Sequence, residues 1–186
     1  SMKKLFILVA LVAAIVSCTT KKEYTLVATL DGVTEGKAYL QIRKGGEYVK
    51  IDSAELVDGV FTMKGSVEFP EIDSFGVEGK RGGKSFFLEN APITLTGHVD
   101  TLYTAKVEGS AAQAEYDQYS ESLNELTEPI NEVWGKIRAA NQEGNTELAD
   151  ELQKEFDELY EGYQDFQLEF VKNNPNSFVS PTHLRD

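Results

Sequence analysis

The alternation of apolar and polar residues predicts a series of short β-strands in the first half of the chain. In the first of them, apolar side chains occupy every second position, at Tyr24, Leu26, Ala28 and Leu30. This is the period of a strand with one buried face. Further strands are predicted at 38–42, on both sides of Asp58-Gly59, and at 72–77, 85–88, 93–96 and 102–107. About eight short strands separated by glycine-rich turns favour an antiparallel β-sandwich or a partly open barrel.

From Gly109 onward the apolar residues follow the helical period instead. Ser110 and Gln113 fit a capping box, in which the serine oxygen accepts from the first turn and the glutamine side chain reaches back to the cap. Two apolar stripes follow, separated by Gly144-Asn145: Tyr116, Tyr119, Leu123, Leu126, Ile130, Val133 and Ile137, and then Leu148, Leu152, Phe156, Leu159, Tyr163, Phe166 and Phe170. The fold class predicted is therefore α+β, an antiparallel β-sandwich followed by a long antiparallel helical hairpin. Pro129 lies inside the first helix and could kink it.

The amino-terminal segment has the order of a secretory signal peptide. Two lysines precede an apolar run from residue 5 to residue 16, which is shorter than the roughly 18 residues that a membrane-spanning helix needs. The run ends in Ile15-Val16-Ser17-Cys18, which resembles the bacterial lipobox, in which the cysteine sulfur carries diacylglycerol. Cys18 is therefore predicted to be a lipid anchor, and the alternative is a reactive free thiol.

These patterns predict five segments. They are a signal peptide at 1–17, a lipidated tether at 18–23, a β-sandwich domain at 24–108, a helical hairpin at 109–172, and the start of a linker or a truncated helix at 173–186. The expected location is the cell envelope, with the protein lipid-anchored to a bacterial membrane and facing the periplasm.

Charge and cysteine content exclude several functional classes. The net charge is −13, which disfavours binding to nucleic-acid phosphates or to an anionic membrane surface. A single cysteine cannot form an internal disulfide, a CxxC redox pair or a multi-cysteine zinc site.

No residue stands out as catalytic, cofactor-binding or metal-binding. Gly83-Lys84-Ser85 fits the end of a phosphate-binding loop, but Glu78 occupies the place of its first glycine, and a strand rather than a helix is predicted to follow. His98 and His183 stand alone in the sequence. Trp134 is expected to pack partly in the interface between the helices. The many carboxylates from residue 143 to residue 169 are expected to form the solvated face of an amphipathic helix. Tyr48 and Tyr103 remain candidate surface aromatics for a ligand.

Four segments of the chain resemble, in order, a domain of unknown function found in Bacteroides-type lipoproteins. They are YTLVATLDGVTEGKAYLQI, IDSAELVDGVFTMKGSVEFP, FFLENAPITLTG and VEGSAAQAEYDQY. The most specific part of the resemblance is Asp52-Ser53, Asp58-Gly59, Phe61, Gly65 and Pro70. The sequence departs from the family pattern at Ala28, where glycine is frequent in the family. In this family the domain commonly precedes a thioredoxin-like domain in membrane-tethered thiol-disulfide oxidoreductases, and NNPNSFVS resembles the link between the two.

The resemblance implies a non-catalytic amino-terminal module that positions or associates with a partner. The expected partners are the membrane, through the lipid on Cys18, and either a thioredoxin-like domain or a second copy of the chain, through the helical hairpin. No cofactor, enzymatic activity or nucleic-acid partner is expected. The alternative is a self-standing lipoprotein that binds a glycan or a peptide on its β-sheet.

Overall fold

The structure is a computed structural model, and it describes residues 22–180. The segments predicted as a signal peptide and as most of the tether, together with Cys18 and His183, lie outside the described residues. The elements are β1 (Tyr24–Asp31), β2 (Lys37–Lys44), β3 (Glu47–Val57), β4 (Val60–Gly65), β5 (Glu71–Val77), β6 (Lys84–Leu88), β7 (Pro92–His98), a 3-10 helix (Val99–Thr104), β8 (Lys106–Glu108), α1 (Ala111–Gln142) and α2 (Thr146–Asn173). The eight strands and the helical hairpin confirm the α+β fold predicted from the sequence.

The eight strands form one sheet that folds over on itself. Their order is β6-β5-β2-β3-β4-β1-β7-β8. The long strand β3 joins the two halves, because its residues 47–55 pair with β2 while Leu56 and Val57 pair with β4. The neighbouring strands are antiparallel except β1 and β7, which run parallel. The halves meet through side chains such as Phe61 of β4 and Phe75 of β5, whose ring centroids lie 6.2 Å apart.

The strand alternation places apolar side chains between the two halves. Tyr24, Leu26, Ala28 and Leu30 are all buried, as their spacing predicts. On β4, Phe61 and Met63 are buried while Thr62 and Lys64 are exposed. Each large apolar side chain removed from water stabilises the fold by about 1.5–3 kcal/mol. This core therefore belongs to the sheet itself.

One predicted strand is partly helical. Residues 102–104 belong to the 3-10 helix, and only Lys106–Glu108 forms strand β8. Val99, Leu102 and Ala105 are buried at steps of three residues, which is the 3-10 period. The Nδ1 atom of His98 accepts a hydrogen bond from the backbone N–H of Asp100 and caps this helix. The buried Leu102 thus enters the core from a helix.

The two long helices begin and end where the sequence signals predict. The Ser110 side chain accepts from the backbone N–H of Gln113 and caps α1. Gly144 has a φ of +73°, and the Asn145 side chain accepts from the backbone N–H of Leu148 at the start of α2. At 32 and 28 residues, the helices are about 48 and 42 Å long. Helix α1 continues through Pro129.

Gln113 does not complete the predicted capping box but links the hairpin to the sheet. Its Oε1 atom accepts from the backbone N–H of Phe87 at 2.8 Å, and its Nε2 atom donates to Asp117. Glu89 adds a second link, because one carboxylate oxygen accepts from the Ser110 hydroxyl and from the backbone N–H of Ala112. Strand β6 lies at an edge of the sheet, so the backbone N–H of Phe87 has no neighbouring strand to bond to. The buried side chain of Gln113 from α1 accepts its hydrogen bond instead.

A second apolar cluster lies where the base of the hairpin meets strand β6 of the sheet. Phe87, Ala112, Tyr119 and Val179 are buried in it, and half-buried residues of both helices pack around them. Within residues 22–180, no helix has the length and apolarity that crossing a membrane requires.

Candidate functional site

The histidine and the glycine-rich segment have structural roles. His98 is half exposed, caps the 3-10 helix and lies 3.8 Å from the Asp100 carboxylate. Gly83-Lys84-Ser85 leads into strand β6 rather than into a helix, so no helix amino end is available there for phosphate. The Lys84 side chain donates to the backbone oxygen of Tyr103 at 3.4 Å. Between residues 22 and 180, no three His, Cys, Asp or Glu side chains are grouped so that they could hold a metal ion.

A groove of about 750 Å³ crosses the outer face of the β2, β5 and β6 half of the sheet. We call it the outer-face groove. Its volume is in the range of small-molecule sites, and its walls combine aromatic, aliphatic and small polar side chains. It is lined by Gln41, Arg43, Tyr48, Ile72, Ser74, Ser85, Phe87 and Phe178, among others. Phe178 comes from the segment after α2, so the end of the hairpin and the sheet build the groove together.

The structure places the two candidate tyrosines differently. Tyr48, on β3, lines the outer-face groove and is 62% exposed. Tyr103 lies on the 3-10 helix, is 71% exposed and is not among the residues that line the groove. Only Tyr48 therefore has the concave surroundings that a ligand-stacking aromatic needs.

Asp73 is a buried carboxyl group on the inner face of β5. It is 1% exposed, and neither carboxyl oxygen has a hydrogen-bond partner among residues 22–180. Burial and, to a smaller extent, the charge of Glu71 together raise the pKa of Asp73 from 3.8 to about 7. The Tyr24 hydroxyl lies near this group and donates to Asp52 at 3.2 Å, and burial together with Asp52 raises the pKa of Tyr24.

The sequence interpretation missed Asp73, although a signal was present. The residue lies one period before Phe75 in a predicted strand, so alternation alone places it on the inner face. A carboxyl with a pKa near neutrality is able to exchange a proton at physiological pH. The Asp73 side chain faces the core, and those of Ile72 and Ser74 lie on the opposite face of the same strand. All three residues contribute to the lining of the groove.

Four aromatic side chains run along the hairpin, and we call them the aromatic row. They are Trp134 of α1 and Phe156, Tyr160 and Tyr163 of α2. The ring centroids of successive members lie 5.6, 5.8 and 5.9 Å apart. Trp134 packs against Phe156 across the seam between the helices, as predicted, yet it is 45% exposed, and Tyr160 is 43% exposed. The row is therefore an apolar surface that the hairpin itself covers only in part.

Helix α2 is less covered than α1 along its whole length. Its stripe residues Leu152, Leu159, Phe166 and Phe170 are half-buried, and Ala149 is its one buried residue. Helix α1 buries Ile130, Val133, Ile137 and others. Two helices without a third layer leave part of each apolar stripe open to solvent.

The negative charge of the chain is concentrated on the hairpin. Residues 111–173 contain sixteen carboxylates and four cationic side chains, which is −12 of the total −13. The remaining residues are nearly neutral. Around the aromatic row, Asp157 and Glu161 follow Phe156 and Tyr160 by one position and lie on the exposed flank.

Comparison with known proteins identifies the family of the sheet. Residues 24–116, half of the chain, match the family described as a domain of unknown function, DUF4369. The matched segment contains all eight strands and the first turn of α1. None of the curated proteins and none of the solved structures compared with the chain matches it. The chain belongs to the DUF4369 family.

Proposed function

We propose that this chain is the non-catalytic amino-terminal module of a lipid-anchored thiol-disulfide oxidoreductase-type lipoprotein that faces the periplasm. The observation that carries the proposal is the partly uncovered aromatic row on a hairpin that projects from a self-contained sheet. Exposed aromatic side chains in a contiguous patch are typical of association surfaces. The module would hold a partner domain at a set distance from the membrane.

The division into a sheet and a hairpin agrees with a module that is attached to a membrane at one part and associates with a partner at the other. The sheet has its own apolar core, and the hairpin is attached to it through Phe87, Glu89 and Gln113. The tether would connect the sheet to the lipid, and the hairpin, about 45 Å long, would extend the association surface away from it. Such an arrangement needs no reactive group.

The anchor is tested by replacing Cys18 with Ala in the native host. A diacylglyceryl group adds about 0.8 kcal/mol of membrane affinity per buried CH2, so the variant should move from the membrane fraction to the soluble periplasmic fraction. Ser17→Ala leaves the cysteine in place and serves as the matched control. A Cys18→Ala variant that stays fully in the membrane fraction would show that the anchor assignment is wrong.

The partner is tested by the coding sequence that follows Asp186. A thioredoxin-like segment with a CxxC motif would support the role as an amino-terminal module. A stop codon at that point would instead favour a self-standing protein.

The outer-face groove supports a second candidate function, a lipoprotein that binds a glycan or an extended peptide on its sheet. Tyr48 and Phe178 offer exposed aromatic faces, and Gln41, Ser74 and Ser85 offer hydrogen-bonding groups on the same surface. This combination of stacking faces and small polar groups is typical of ligand grooves.

The groove is tested by NMR titration with chitotetraose and, separately, with a decapeptide of alternating valine and lysine. Binding should shift the backbone signals of Ser74 and Ser85, and Tyr48→Ala should weaken it at least tenfold. Tyr103→Ala removes an equally exposed tyrosine outside the groove and should leave the affinity unchanged. Equal effects of the two substitutions would exclude the groove as the binding site.

A further inference from the structure

We infer that the aromatic row docks a basic amphipathic helix of a partner protein, which lies along the seam between α1 and α2 as a third helix. This inference rests on the proposed association role of the hairpin. It adds the chemistry of the partner: apolar side chains on one face, surrounded by lysines and arginines.

The shape of the surface favours a helix. Trp134 and Phe156 meet across the seam, and Tyr160 and Tyr163 continue the row along α2. From Phe156 to Tyr163 the row extends about 10 Å along the helix axis, since each residue rises 1.5 Å. About two turns of a partner helix would cover this length. A helix that lays its apolar face against two others is a standard mode of peptide recognition and completes a three-helix layer.

The apolar part of the contact would come from the rings that the hairpin leaves exposed. Trp134 and Tyr160 remain nearly half exposed although each contacts a neighbouring ring. Trp and Tyr are the residues most often found at the energetic centre of interfaces, because they bury a large area at a small entropic cost.

The charge around the row decides which partner fits. A second copy docked through the same surface would bring two hairpins of charge −12 together, well within the Debye length of about 10 Å. An anionic lipid surface would be repelled for the same reason. A partner with Lys and Arg around its apolar face would be attracted, would associate faster at low salt, and would place cations next to Asp157 and Glu161.

The experiment uses the full chain and a peptide of about 14 leucine and lysine residues arranged as an amphipathic helix, which spans about 20 Å. The chain has a single tryptophan, so its fluorescence reports on Trp134 alone. We expect the peptide to shift Trp134 emission to the blue and to saturate at one peptide per chain. A peptide in which glutamate replaces every lysine should produce no shift.

Two variants separate docking on the row from simple charge attraction. Tyr160→Ser keeps the charge and should weaken binding at least tenfold, whereas Tyr103→Ser, on the 3-10 helix, should leave it unchanged. Asp157→Asn together with Glu161→Gln should weaken binding and reduce its dependence on salt. If Tyr160→Ser binds the peptide as the unmodified chain does, charge alone attracts the peptide and the inference is overturned.

Sedimentation of the chain without peptide tests whether a second copy of the chain occupies the aromatic row. The chain is expected to be monomeric at the concentrations of the titration. A dimer that Tyr160→Ser dissociates would show that a second copy occupies the row, and it would overturn the basic partner while leaving an association role for the hairpin. Membrane attachment through Cys18 does not involve the row, so its failure would count against the proposed function alone.

Discussion

Asp73 places a carboxyl group where a β-sandwich normally holds an apolar side chain. The neighbouring inward residues of its strand, Phe75 and Val77, are fully buried and apolar. A buried carboxylate without hydrogen-bond donors is costly, so the group avoids its charge by keeping its proton up to a pH of about 7. The stability of the sheet is therefore coupled to pH through this one side chain.

The sign of this coupling follows from the two pKa values. The folded chain holds the Asp73 proton up to about pH 7, while the unfolded chain releases it near pH 3.8. Asp73 thus lowers the free energy of unfolding as the pH rises from about 4 to 7, and it has its full destabilising effect above that range. One pKa unit corresponds to about 1.4 kcal/mol, which gives a total effect on the order of 4 kcal/mol.

Asp73→Asn removes this titration, so we expect the variant to gain stability relative to the unmodified chain as the pH increases. The difference in the free energy of unfolding between the two proteins should change by about 3 kcal/mol between pH 4.5 and pH 8. Urea denaturation at both pH values measures it. Asp31→Asn changes an exposed aspartate on β1 and serves as the control. A difference that stays constant across this range would mean that Asp73 does not titrate in it.

At the scale of the elements, the sequence predicted most of the fold because most of its signals are local. The alternation in β1 and β4, the Ser110 cap and the Gly144-Asn145 break each depend on residues a few positions apart. The parallel pairing of β1 with β7 depends on residues more than sixty positions apart, and alternation carries no information about it.

The parts that the sequence did not predict also depend on distant residues. Gln113 fits a local capping pattern. Its side chain instead accepts a hydrogen bond from the backbone N–H of Phe87, which lies 26 positions away on an edge strand. The outer-face groove unites β2, β3, β5, β6 and Phe178, which no motif spacing connects. Tyr160 is not part of the apolar stripe predicted for α2. Its place in the aromatic row follows from its ring contact with Phe156 in the structure.

No residue of α1 or α2 belongs to the core of the sheet, so we predict that most of the hairpin unfolds independently of the sheet. Leu126→Asp together with Phe156→Asp would place one carboxylate on the half-buried apolar stripe of each helix, where partial loss of hydration makes the charge costly. We expect the amides of both helices to lose protection from hydrogen exchange while those of β1 and β2 keep theirs.

Asn131→Asp together with Gln164→Asp is the matched control, because it adds the same charge at exposed positions of the two helices. It should leave the protection of the helices in place. If the sheet lost its protection together with the helices in the interface variant, the two parts would form one cooperative unit.

At the scale of the whole molecule, charge and apolar surface are divided between the two parts. The sheet, which the family match covers, encloses its own core and has a net charge of −4 over residues 24–110, whereas the hairpin has a net charge of −12 and holds the aromatic row. An acidic surface with exposed aromatic side chains selects its partner by charge and binds it by apolar contact. Under the proposed function, any redox chemistry would belong to that partner.

This division predicts that residues 23–186 have no thiol-disulfide exchange activity. Exchange requires a thiolate that attacks a disulfide, and turnover requires a second thiol to resolve the mixed disulfide. Cys18 is the only cysteine of the chain, so residues 23–186 contain no thiol. The fragment should leave the rate of insulin reduction by dithiothreitol unchanged, while thioredoxin at the same concentration accelerates it. The full chain without lipid, which retains one thiol, should also fail to turn over, and sustained insulin reduction by either form would contradict the non-catalytic role.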